Sequence, residues 1–97
     1  MIRYALLAAL AALPAHAQES PAARGLAATC AACHGTDGRS TAREMVALAG
    51  LPREHIASQM RAFRDGTRPA TVMHQIAKGY SDQQIDLMAD YFSRRPR

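Results

Sequence analysis

Residues 30–34 read Cys-Ala-Ala-Cys-His, and nothing else in the chain restricts its fold so tightly. On a helical turn the two thiols three positions apart share one face, and the imidazole stands one turn beyond the first thiol. Three chemistries use such a cluster: a zinc site, a redox disulfide and thioether attachment of a haem. Structural zinc needs four protein ligands, usually two spaced pairs. The chain has only these two cysteines, and His55 and His74 stand alone. A thioredoxin-like dithiol follows a strand and opens a helix; here the pair closes a helical stretch with no strand before it. A structural disulfide would close a loop of two intervening residues, which restrains the unfolded chain very little. Haem attachment fits by mechanism, because both sulfurs can reach the edge of one porphyrin and the imidazole can reach its iron. Cys30 and Cys33 are therefore read as two thioether links to a single haem c, and His34 as the proximal iron ligand.

The N-terminus bears on the compartment. A basic start at Arg3, an apolar run from Tyr4 to Leu13, Pro14 and the small-x-small Ala15-His16-Ala17 have the layout of a secretory signal peptide. Ten apolar residues fall well short of the roughly 20 that span a bilayer. Residues 1–17 are expected to be cleaved and 18–97 to form one periplasmic domain, without membrane insertion. Eighty residues with no Trp, two Phe and two Tyr make a thin core, and chains this short commonly need a staple, a metal or a cofactor. The net charge of these residues is about +3, and Lys78 is the only Lys. An exported chain without a dense basic run is a poor nucleic-acid partner. Arg61, Arg64 and Arg68 offer a candidate rim for docking an acidic protein, the plainer reading being a solvated helix face.

The pattern predicts an all-α fold of three or four helices. Ser20-Pro21 caps a first helix running through Ala22 to Cys33. Residues 35–50 read as a Gly-rich loop with one short helical turn. A second helix starts near Pro52, carries Ile56, Met60 and Phe63 on one stripe, and stops at Asp65-Gly66. Residues 67–71 contain Arg68-Pro69 and form a loop, and Val72 to Lys78 suits a short helix. Ser81 with Gln84 makes a capping box for a last helix that turns Ile85, Met88, Ala89 and Phe92 inward.

A haem electron carrier usually takes a second axial ligand, and a Met sulfur there raises the potential. Met60 and Met88 lie on inward stripes and read as core filler. Met45 follows the Cys-x-x-Cys-His soon after, in the Gly-rich region. Met73 lies forty positions after Cys33, far enough for the chain to return on the other face of the ring, and is the favoured ligand. His74 is its rival, and His55 reads as solvent-facing.

CAACHG, LAG at 48–50, FRDG at 63–66 and MxxIAKGYSDxQI at 73–85 resemble class I cytochromes c over nearly all of residues 18–97. The stretch 62–93 is most similar to the cytochrome subunit of flavocytochrome c sulfide dehydrogenase, in its monohaem form. The resemblance implies that Met73 is the axial ligand. It also implies that the first and last helices cross, with Ala22 and Gly25 permitting close approach to Tyr91 and Phe92. Many relatives place Pro where Val46 stands, with a nearby backbone carbonyl orienting the proximal imidazole; here a carbonyl remains but the stiff ring is gone. They also tend to have a small residue after the axial Met, where this chain has His74.

No carboxylate pair, nucleophile–base pair or phosphate loop is evident, so no catalytic residue is assigned. The expected role is one-electron transfer, accepting electrons from an FAD-containing sulfide-oxidising subunit and passing them to another soluble cytochrome. A free periplasmic carrier is the alternative. A haem sensor would need a sixth ligand that leaves, and a thiol–disulfide protein would need unmodified thiols.

Overall fold

The computed structural model describes residues 20–97; the expected signal peptide and its cleavage site lie outside them. The described chain is all-helical, in order α1 (Pro21–Ala28), α2 (Ala31–His34), a 3-10 turn (Thr36–Gly38), α3 (Arg53–Asp65), α4 (Met73–Ala77) and α5 (Asp82–Ser93). The local signals act where the pattern placed them. Ser20 Oγ accepts from the Ala23 N–H at 3.0 Å, with Pro21 in the first turn. Gly66 ends α3 with φ 79°. Ser81 Oγ accepts from the Gln84 N–H at 3.2 Å while Gln84 Oε1 accepts from the Ser81 N–H at 2.9 Å.

One expected helix is two. The run from Ala22 to Cys33 breaks at Thr29-Cys30, so five α-helical segments stand where three or four were expected. The cause is local. Thr29 and Cys30 N–H donate to Leu26 and Ala27 O at i−3 spacing, 3.2 and 3.1 Å, and the Thr29 hydroxyl donates to Leu26 O at 2.6 Å. A β-branched hydroxyl residue bonding its own backbone competes with helix continuation.

The first and last helices do pack together, but not through the residues expected. Ala23 and Ala27 are buried, whereas Ala22 and Gly25 are exposed. Positions 23 and 27 are four apart and share one face; 22 and 25 are rotated off it. On the α5 side of the core stand Ile85, Met88, Ala89, Tyr91 and Phe92.

Packing of α3 on α5 is edged by ion pairs. Asp82, Asp86 and Asp90 follow at four-residue steps along α5 and meet α3 arginines: Arg64–Asp82 and Arg61–Asp86 at 2.7 Å, Arg61–Asp82 at 3.3 Å, and Arg53 near Asp86 and Asp90 at 3.9 and 4.0 Å. The expected docking rim therefore loses Arg61 and Arg64, whose charges are met within the fold. Each exposed pair contributes little; the ladder sets helix register.

The 35–50 segment is folded back on itself. Gly38 O accepts from the N–H groups of Leu48 and Ala49 at 2.8 and 3.2 Å. Asp37 sits in the left-handed region at φ 53°, held by Tyr91 OH donating to Oδ1 at 2.6 Å and by Arg39 at 3.3 Å. Gly38 has φ +74°, and a Cβ there would stand 2.8 Å from Phe92 Cδ1 and 2.9 Å from Leu48 Cβ.

Two outcomes follow. Gly38→Ala should lower thermal stability by about 3 kcal/mol, from overpacking plus a disfavoured φ. Gly66→Ala, with open space around it, should cost only about 1 kcal/mol; equal melting shifts would refute the packing argument. The bond to the Asp37 carboxylate, then burial, hold the Tyr91 phenol above its ordinary 10.0. That contribution is whole below the ordinary value and is lost as pH rises through the raised one. Melting curves between about pH 9 and about 11 should fall less steeply for Tyr91→Phe than for the parent.

Candidate haem site

An apolar cleft of about 180 Å3 opens between the α1–α2 turn, the 46–51 loop, α3, α4 and α5. Cys30 and His34 line it from one segment, Leu48 and Leu51 from the loop, Ile56, Met60 and Phe63 from α3, Met88 and Phe92 from α5, and Met73 from the start of α4.

His34 is 8% exposed, and its Nδ1 lies 2.8 Å from Val46 O. A carbonyl only accepts, so Nδ1 carries the proton and Nε2 is left with its lone pair for a metal. The missing Pro at position 46 therefore does not remove the orienting carbonyl. Val46 itself is 60% exposed, so what positions its oxygen is the folded 35–50 segment rather than burial of the side chain.

The thiols differ. Cys30 lines the cleft, and burial, its main cause, pushes its thiol pKa up. Cys33 is exposed and stands outside the lining.

Of the rival ligands, Met73 lines the cleft and His74 does not; Met45 and Cys33 are likewise absent from the lining. His74 Nδ1 is buried without a hydrogen-bond partner. Met60 and Met88, expected as core filler, pack in the core and also border the cleft. His55, expected to face solvent, is exposed yet lies at the cleft edge.

Sequence reasoning missed the polar corner of the cleft. Gln59 and Arg68 both line it; an Arg68 guanidinium N–H donates to Gln59 Oε1, and the group stacks 4.6 Å from the Phe63 ring centroid. Among the described residues Arg68 makes no ion pair, whereas Arg53, Arg61 and Arg64 all do. A polar residue adjoining the Ile56–Met60–Phe63 stripe was the available signal.

An all-helical chain wrapped on an apolar cleft, with Cys30 and His34 of its Cys-x-x-Cys-His on the wall, defines a small class I cytochrome. The cytochrome c family model matches residues 22–94, and the chain belongs to that family. Similar proteins include the cytochrome subunit of sulfide dehydrogenase of Chlorobaculum tepidum, 42% identical over 67 residues, 69% of this chain and 60% of that one. The thiosulfate dehydrogenase electron acceptor of Thiomonas intermedia is 44% identical over 69 residues, 70% of this chain but 32% of that protein. Cytochrome c-554(548) of Halomonas halodenitrificans is 41% identical over 68 residues, 67% of this chain and 82% of that one. The match thus spans three-fifths of the first relative and a third of the second.

The family implies covalent haem c, and the cleft's donors suit it: a thiol on the wall, an imidazole with a free Nε2, apolar faces, and one unmatched cation at the rim. A cation near the haem favours the ferrous state, so Arg68→Gln should lower the reduction potential. At an interaction of about 1 kcal/mol the drop is about 40 mV, read by redox titration against Arg68→Lys, which should hold the parent value more nearly.

Proposed function

We propose that this chain is a periplasmic one-electron carrier with a single haem c joined through Cys30 and Cys33 and ligated by His34 and Met73. The observation that carries this reading is that one apolar cleft gathers Cys30, the buried His34 and Met73, while the rival His74 lies outside it. Bound haem supplies the ferrous–ferric couple. The protein's part is to hold a ligand on each side so that little rearranges on electron transfer, and to exclude water, which keeps the potential up. Val46 O fixes the His34 tautomer throughout.

Residues 1–17 act as the export signal and 18–97 as the functional domain in this reading. Among the described residues, no helix is long and apolar enough to cross a membrane. The partner is an FAD-containing sulfide dehydrogenase subunit, with other soluble cytochromes as acceptors. Support comes from the similarity to a sulfide dehydrogenase cytochrome subunit. A free carrier between a periplasmic dehydrogenase and a terminal oxidase or reductase is the second reading. It draws on the similarity to cytochrome c-554(548), whose name carries no dehydrogenase.

Three measurements test this. Protein isolated gently from its own host should show haem bands; flavin absorption beside them supports the flavoprotein partner, and haem alone the free carrier. Cys30→Ser with Cys33→Ser should release the haem into acidified organic solvent, which the parent retains. Met73→Ala should abolish the red charge-transfer band of sulfur ligation and lower the potential by an appreciable part of the roughly 0.8 V that axial ligands span. An unchanged band would remove Met73 from the ligand set.

A further inference from the structure

Thr29 directly precedes Cys30, and Tyr80 stands three residues after α4, in the turn to α5. Their side chains meet: Thr29 Oγ1 and Tyr80 OH are 2.8 Å apart across 51 positions of sequence. The direction of that bond follows from proton count. The single Thr29 hydroxyl proton is directed at Leu26 O, 2.6 Å away, so Thr29 Oγ1 accepts and the Tyr80 phenol donates. The same Thr29 oxygen lies 3.9 Å from Cys30 Sγ. The phenol therefore reaches across to the haem-attachment turn itself.

α4 packs against α3, and the Tyr80 phenol is its bond to the attachment turn. It is five residues long, with Ala77 its only fully buried residue. Val72 before it and Ile76 within it are 51% and 42% exposed. A helix that short has no stability of its own, so its position is set by its packing on α3 and by what its ends are tied to. Its C-terminal side is tied at Tyr80, whose N–H donates to Ala77 O at 3.2 Å and whose side chain packs against the core.

We propose that the Tyr80–Thr29 hydrogen bond is a latch that keeps the Met73 segment closed against the Cys30–His34 segment, making Tyr80 a positioning residue for the distal ligand. This rests on the reading of His34 and Met73 as the axial pair. Closed, the latch denies the sixth coordination position to outside ligands and holds the protein to electron transfer. Broken, it lets the Met73 segment part from the attachment turn more often.

Imidazole binding to the ferric holoprotein tests it. Imidazole enters only when Met73 has left, so its apparent affinity scales with the open fraction. Losing a net hydrogen bond of about 1 kcal/mol should raise that affinity about fivefold in Tyr80→Phe, which keeps the ring and its packing. Thr29→Ala should act in the same direction. In the double variant it should add nothing further, because the bond is already gone. Unchanged imidazole affinity in Tyr80→Phe, with only the denaturant midpoint lowered, would overturn the latch and leave a bond that merely supports the fold. Additive effects of the two substitutions would overturn it as well. Failure of the underlying ligand reading has a different signature: Met73→Ala would keep the sulfur charge-transfer band and bind imidazole no more tightly than the parent.

Discussion

The structure depends on how little its side chains can fill. Among the described residues, six of the eleven buried apolar ones are alanines, and only Phe92 and Ile85 are large and fully buried. Alanine removes little apolar area from water, so such a core supports helix contacts at close range without closing an interior. The larger apolar side chains instead turn toward the cleft: Leu48, Leu51, Phe63, Met60 and Met88 line it. The helices are thus arranged as walls, and the body they suit is broad, flat and apolar. A haem meets that description, which ties the family's cofactor to the chain's own packing deficit rather than to the cysteines alone.

Around that cleft the polar groups divide into two sets. One set fixes architecture. The α3–α5 ion pairs set helix register, Tyr91 with Asp37 pins the loop that follows α2, and Gly38 O ties that loop to Leu48 and Ala49. The loop then delivers Val46 O to His34, so that imidazole is oriented by backbone twelve positions on in the sequence. The other set lies at the cleft or beside it. Arg68 brings a charge with no ion-pair partner among the described residues, and Thr29 with Tyr80 joins the two segments that carry the attachment cluster and Met73. Neighbouring arginines therefore do unlike work: Arg64 neutralises Asp82, while Arg68, four residues on and past the end of α3, stands at the cleft.

Much of this was legible in the sequence because it is written in short-range chemistry. The Cys-x-x-Cys-His cluster, the Ser20 and Ser81 caps, the Gly66 stop and the inward face of α5 each depend on residues within a turn or two of one another. Where a side chain competes with its own backbone, as Thr29 does, periodicity misleads, and one expected helix became two. The crossing of α1 and α5 was expected from family resemblance, yet the residues making it are Ala23 and Ala27. A hundred-degree step around a helix decides which small residue is buried, and only packing against α5 fixes that rotation.

The sequence by itself determined the helices, the attachment cluster, and the need for something besides side chains in the core, since all three follow from local spacing and composition. Tertiary structure alone decided that Met73 joins Met60 and Met88 at the cleft while His74 does not, which arginines pair with α5, and that Tyr80 lies within bonding distance of Thr29. Those outcomes join residues tens of positions apart, and no local periodicity carries that distance; it is set when α3, α4 and α5 close on one another around the cleft.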